Sequence, residues 1–229
     1  MNRRRYLGTL AAAGAASIAG CGDVGVLGNG NGGSSHTHLS EPDLSGDPED
    51  YPFPVHGQEL PEVTLRAPIG ERDVTTTAFD RDVLVTFFYS NCMTACPILI
   101  STLRQIQTQA GKDGHTEDVV FLPITFDPER DTADTLTDYA ERMRVDLEAG
   151  NWNFLRPGGP DAASSVVADT FGVRFERTHP EDMDQYMFDH RSLILLANRD
   201  GYVERAYRED IEDWNAIYDD LATLRSREG

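Results

Sequence analysis

The apolar pattern opens with two short β-rich stretches, Val63 to Leu65 and Val74 to Thr77, which predict two strands. A continuous apolar run follows, Val83-Leu84-Val85-Thr86-Phe87-Phe88-Tyr89, bulky and β-branched enough for a strand covered on both faces. Past it the period changes. From about Thr94 to Ala110, residues such as Leu99, Leu103 and Ile106 recur at helical spacing, so the strand hands over to a helix. The alternation then repeats: a strand at Val119 to Phe126, a helix from Asp131 or Thr132 to Arg144, a short strand at Trp152 to Leu155, a helix from Asp161 to Phe171 and a strand at Val173 to Arg177. An irregular acidic loop comes next. Ser192 to Leu196 and Tyr202 to Arg205 then form a hairpin across Asn198-Arg199-Asp200-Gly201, and a last helix runs from about Ile211 to Arg225.

Strand, helix, strand, helix, hairpin, helix is the thioredoxin-like order, an α/β fold with a central mixed sheet flanked by helices. Residues 51–229 have the length and apolar content of one such domain. Residues 22–50 turn to Gly, Ser, Asn, Asp and Pro without apolar periodicity and predict a flexible spacer, with a mean reach of about 30 Å. Within it, Gly28, Gly30 and Gly33 match a dinucleotide-binding spacing, but no strand precedes them and no helix follows, so the match carries no chemistry. His36 and His38 read as a solvated linker pair rather than a metal site. Residues 1–21 read as an export signal: Arg3-Arg4-Arg5 gives a twin-arginine start, and Ile18-Ala19-Gly20 places small residues directly before Cys21. That arrangement makes Cys21 a lipid attachment site and sets the domain at the extracytoplasmic face of the cell membrane. The apolar stretch before it is too short for a comfortable membrane span.

Beyond Cys21, the only cysteines are Cys92 and Cys96. They sit where the strand ending at Tyr89 meets the helix, at the sheet edge where open α/β folds place their sites. Spacing of i and i+4 puts both sulfurs on one face of the first helical turn, where the helix dipole favours thiolate. Metal ligation and dithiol redox chemistry both follow from such a pair. The spacing also permits a disulfide.

Three ordered motifs resemble one family. Cys92-Met93-Thr94-Ala95-Cys96-Pro97 resembles the C-x-x-x-C-P signature of the Sco/SenC copper proteins, Asp127-Pro128-Glu129-Arg130-Asp131-Thr132 is similar to that family's segment after the next strand, and Phe188-Asp189-His190-Arg191-Ser192 falls where the family keeps a ligand histidine. The resemblance implies that Cys92, Cys96 and His190 bind copper, Cu(I) or Cu(II), and that the protein delivers copper to the CuA centre of cytochrome oxidase. Its partners would be the apo oxidase CuA subunit and a thiol reductant. The donor set agrees, because thiolates select Cu(I) and an imidazole suits Cu(II). Asp189 is a candidate acceptor for the imidazole of His190. Asp127, Arg130 and Asp131 read as turn and helix-cap residues.

The spacer departs from the family, which often has Pro and Asp where this chain has Met93-Thr94-Ala95. Met93 at a helix start reads as packing, and Met183 and Met187 as loop residues closing over the core, with thioether ligation of copper as the alternative for each. Functionally, a metal-transfer protein stands ahead of an enzyme. The alternatives are a thiol-disulfide oxidoreductase that uses Cys92 and Cys96 to reduce the CuA-site cysteines, and a copper or redox sensor. Dedicated dithiol oxidoreductases usually carry C-x-x-C, so the longer spacing favours metal.

Charge excludes one class of partner and predicts an environment. The formal net charge is −19, and removing residues 1–20, which hold three arginines and no acidic residue, takes it to −22. Nucleic acid does not bind such a surface. Lys112 is the only lysine, and Asp and Glu are spread along the whole chain, as expected for a halophilic host where molar salt shortens repulsion to about 3 Å. The folded circular-dichroism signal should therefore fall as salt is lowered from molar to millimolar. A flat response would remove the halophile reading.

Overall fold

The computed structural model describes residues 36–181, 183–208, 211 and 213–228. The segment read as an export signal, Cys21 included, lies outside the described residues. A four-stranded sheet organises the domain. Strand β3 (Asp82–Phe88) is central, pairing parallel with β4 (Val119–Thr125) and antiparallel with β7 (Ile194–Ala197), which in turn pairs antiparallel with β8 (Val203–Tyr207). Every residue of β3, β4 and β7 is buried. That is why these strands read as unbroken apolar runs rather than alternations. Helix α1 (Ala95–Asp113) makes the crossover between β3 and β4, and it packs against the terminal helix α4 (Trp214–Glu228). This is the thioredoxin-like arrangement that the element order predicts. No helix among the described residues is long and apolar enough to cross a membrane.

Local chemistry fixes where the elements stop. Gly114, at φ 79°, closes α1 in the left-handed region, and its N–H returns to the carbonyls of Ala110 and Gly111. Helix α2 (Ala133–Met143) starts on Thr132, whose hydroxyl accepts the N–H of Thr135 at 3.2 Å. Gly172 has φ 69°, and a Cβ there would lie 1.6 Å from the carbonyl oxygen of Pro52, so only glycine lets the 52–53 segment cross at that point.

Several boundaries differ from the sequence reading for identifiable reasons. The segment at Trp152 to Leu155 lies parallel to β4 but forms only isolated bridges, Phe121 to Trp152 and Ile124 to Leu155. The N–H groups of Phe121 and Thr125 donate to the carbonyls of Asn151 and Leu155. Between them stands Pro123, which has no N–H to give, so the ladder is interrupted. The helix expected from Asp161 to Phe171 is a short α3 (Pro160–Ala163) continued by a π-helical turn, Ser164–Thr170. The strand expected at Val173 to Arg177 is β5 (Phe175–Thr178), and the acidic loop after it leads into an unanticipated one, β6 (Met187–His190), which pairs antiparallel with β5 as a separate two-stranded ribbon. A second such ribbon joins β1 (Thr64–Ala67) to β2 (Arg72–Thr75).

The spacer is also shorter than composition suggests. Leu39 is buried, the N–H groups of His38 and Leu39 donate to the Glu204 carboxylate, and the His36 ring stacks on Tyr202 with centroids 4.4 Å apart. The chain from His36 onward therefore belongs to the packed domain, a correction to the 22–50 boundary. Glu204, on the inner side of β8, holds it there.

Candidate metal centre

Strand β3 ends at Phe88 and α1 begins at Ala95, so the intervening turn sets the two cysteines. That turn is anchored by a buried carboxylate. Asp131 accepts the Ser90 N–H with both oxygens, at 3.3 and 3.2 Å, together with the hydroxyls of Ser90 and Thr125. Burial raises the Asp131 carboxyl above its ordinary value, while the Ser90 and Thr125 bonds favour its charged form. Cys92 then closes the turn with its N–H on the Tyr89 carbonyl at 3.3 Å. Its sulfur accepts the N–H of Cys96 at 3.4 Å, taking the place of the side-chain cap that Thr94 does not supply. Both cysteines are free thiols and both are buried, Cys92 at 6% and Cys96 at 0% exposure.

The third member comes from the other end of the chain. His190 ends β6, and its Nε2 lies 3.4 Å from the Cys96 sulfur. The ligand atoms of Cys92, Cys96 and His190 all fall within 4.8 Å of one another. Aromatic rings wall the imidazole: Phe126 at 4.9 Å and Tyr89 at 6.1 Å between centroids. Phe126 stacks in turn on Phe175 of β5. Two soft sulfurs, both buried, and one half-buried imidazole fit Cu(I) and, with a further donor, Cu(II).

What holds the ribbon against the cysteines is a polar linkage from the segment after β4. Asp127, buried, takes the Arg130 guanidinium and the Tyr186 hydroxyl, the latter at 2.8 Å. Arg130 also donates to the Tyr186 carbonyl at 2.9 Å. Its guanidinium lies 3.6 Å from the Tyr186 ring centroid, while Arg177 sits 4.1 Å from the same centroid and bonds Glu129. Tyr186 immediately precedes β6, so these contacts fix the strand that carries His190.

The thiols are electrostatically unequal. The hydrogen bond from Cys96 is the largest influence on Cys92 and lowers its pKa to about 3 against opposing burial, with His190 adding to the effect. Burial pushes the Cys96 thiol up, and its hydrogen bond and proximity to Cys92 push it further. The apo site thus keeps one thiolate on Cys92 and one proton on Cys96. Burial also raises Tyr89 to about 12, which keeps its hydroxyl protonated; it accepts the Phe188 N–H and contacts the Met187 sulfur at 3.9 Å.

The structure brings together Cys92, Cys96 and His190, as the motifs imply, and revises the readings of Asp189, Met93, Asp127 and Asp131. Asp189 does not orient the imidazole: it is exposed, successive strand residues face opposite ways, and the ring's Nδ1 lies 3.3 Å from the Arg191 carbonyl instead. Met93 is not packed, being 68% exposed. Asp131 and Asp127 do more than cap and turn. Among the described residues His36 and His38 join no metal cluster. The roles of Asp131 and Tyr186 escaped the sequence reading because their partners, Ser90 and Asp127, lie 41 and 59 residues away.

Comparison with known proteins decides the family. The SCO1/SenC family model matches residues 70–225, well over half of the chain. The chain belongs to the SCO1/SenC family. A SCO2-like protein of Rickettsia conorii is 29% identical to this SCO1/SenC protein over 126 residues, 54% of this chain and 57% of that one, so the chain spans little more than half of that relative's length. ScoI of Arabidopsis thaliana, solved with copper bound, superposes with a TM-score of 0.59 at 22% identity, covering 74% of this chain and 99% of that one. BsSco, described as a member of the Sco family of cytochrome c oxidase assembly proteins with a disulfide switch, gives 0.57 at 20% identity, covering 75% and 95%. Both likenesses establish the fold.

The inequality of the thiols yields a test. An ordinary thiol, with a pKa of 9.0, is alkylated roughly tenfold faster per pH unit as pH rises toward that value, whereas Cys92 is already thiolate above about pH 3. Iodoacetamide labelling of the reduced apo protein, followed by peptide mass spectrometry, should give a Cys92 rate that is flat from about pH 5 to 8. A tenfold rise per unit would mean that Cys92 is an ordinary thiol.

Proposed function

We propose that this SCO1/SenC protein is a membrane-anchored, extracytoplasmic metallochaperone that binds copper at Cys92, Cys96 and His190 and delivers it to the CuA centre of cytochrome oxidase. The observation that carries the reading is the convergence of two buried sulfurs and one imidazole within 4.8 Å. Copper is the cargo. The Cys92 thiolate is ready to bind it, and loading expels the proton kept by Cys96, so uptake weakens as pH falls. Aromatic walls keep the neighbourhood of low dielectric, and His190 supplies the third donor that Cu(II) needs.

A second reading, thiol-disulfide exchange with the CuA-site cysteines, is favoured by one specific feature. Cys92 combines a depressed pKa with a small opening to solvent, as an attacking thiolate requires, while Cys96 stands next to it as the resolving thiol. The two readings part at His190, which disulfide exchange does not need. His190→Ala should keep the fold and disulfide exchange but weaken Cu(II) binding by at least about tenfold, measured by competition with a Cu(II) chelator, because Cu(I) persists on two thiolates and Cu(II) does not. Unchanged Cu(II) affinity together with normal CuA assembly would favour thiol exchange.

The anchoring rests on Cys21, the only cysteine of the segment before the packed domain and the residue that follows the small-residue run Ala19-Gly20. Cys21→Ser should shift the exported protein from the membrane fraction to the soluble fraction. Retention of the variant in membranes would place the tether elsewhere.

A further inference from the structure

Methionine is scarce in this chain and unevenly placed. Of the five methionines, one is the initiator, and three of the other four, Met93, Met183 and Met187, line a single cleft of about 530 Å³ together with Cys92. Only Met143 lies elsewhere, partly buried against the core. The three come from two segments about 90 residues apart, the approach to α1 and the loop that joins β5 to β6 with the first residue of β6, so sequence proximity does not explain their meeting.

Packing accounts in part for Met187, which like Met143 is half-buried against the core, but not for Met93. Met93 is 68% exposed and, with Ile98, is one of two large apolar side chains so exposed among the described residues. A hydrogen bond between Asn91 and Gln185 ties the two walls of the cleft together. The Met187 sulfur takes a contact from the Tyr89 hydroxyl at 3.9 Å, which orients it and leaves a second lone pair free. Exposure of the sulfur-bearing residues falls inward in order: Met93 at 68%, Cys92 at 6%, Cys96 at 0%.

We infer that Met93, Met183 and Met187 form a thioether loading site for Cu(I), through which the ion passes to and from Cys92. Thioethers are soft and neutral, so they hold Cu(I) without losing a proton and more weakly than a thiolate does. The ion moves by ligand exchange alone: a Cu(I)–thioether bond breaks as the Cys92 thiolate bonds to copper, with no change of oxidation state. Cys92 is the pivot because it lines the cleft and also stands in the Cys96–His190 group. The inference deepens the copper-delivery reading and rests on it.

The test uses the full chain carrying Cys21→Ser, so that the third thiol does not compete. Copper transfer from a coloured Cu(I)–bicinchoninate complex to the reduced protein is followed by stopped flow, comparing this background with one that also carries Met93→Leu, Met183→Leu and Met187→Leu. Leucine keeps the apolar volume and removes the sulfur. The expected result is an unchanged stoichiometry of one Cu(I) at equilibrium and a loading rate at least about tenfold lower. Equal rates would overturn the inference and leave the methionines as an apolar surface. Absence of Cu(I) uptake by both proteins would instead overturn the copper reading itself. A second measurement removes dependence on kinetics: Ag(I), a closed-shell stand-in for Cu(I), is added to the Cys21→Ser, Cys92→Ser, Cys96→Ser protein labelled with ¹³C at its methionine methyls. The signals of Met93, Met183 and Met187 should shift while that of Met143 stays. No shift, or a shift of Met143 alone, would reject the site.

Discussion

The metal centre depends on one interaction more than on any other: the buried Asp127 carboxylate, which binds Arg130 and Tyr186 together. The two cysteines belong to the rigid junction of β3 and α1, but His190 arrives on a two-stranded ribbon outside the main sheet. A two-stranded ribbon is marginal by itself. Asp127 makes it part of the domain, because the residue just before β6 is fixed by its hydroxyl, its carbonyl and its ring face at once. Without that linkage only the aromatic contacts of Phe126 and Tyr89 and the Phe188 N–H bond to Tyr89 would set the distance of the imidazole from Cys96.

A second buried carboxylate serves the opposite side of the site. Asp131 takes four hydrogen-bond contacts from Ser90 and Thr125, tying the end of β3 and the end of β4 into one frame. Buried carboxylates are costly unless their lone pairs are used, and here they are. The short run from Asp127 to Asp131 thus orients both halves of the metal centre, the cysteine turn and the histidine ribbon. That gives this segment a physical reason to accompany the cysteines and the histidine.

The asymmetry of the thiols follows from the same geometry. Cys92 faces the methionine cleft and gathers hydrogen bonds; Cys96 is sealed beneath it. A charged sulfur beside solvent and a protonated one in the interior are suited to accepting a soft cation from outside and closing over it. They are equally suited to attacking a disulfide. Copper delivery and thiol exchange therefore share the first residue and diverge only at the imidazole.

The sequence by itself determined the fold class, the strand-to-helix placement of Cys92 and Cys96, and, through ordered motifs, His190 as their partner. These are properties of local periodicity and of residue types whose chemistry is distinctive. It did not determine the β6 strand, because Met187-Phe188-Asp189-His190 is too short and too half-buried to show a period. Nor did it determine the broken pairing beside β4, the docking of His38 and Leu39 on Glu204, the release of Asp189 from any role beside His190, or the gathering of the methionines. Each of those turns on a contact between residues far apart in the chain, and only the closed tertiary structure decides which distant groups meet.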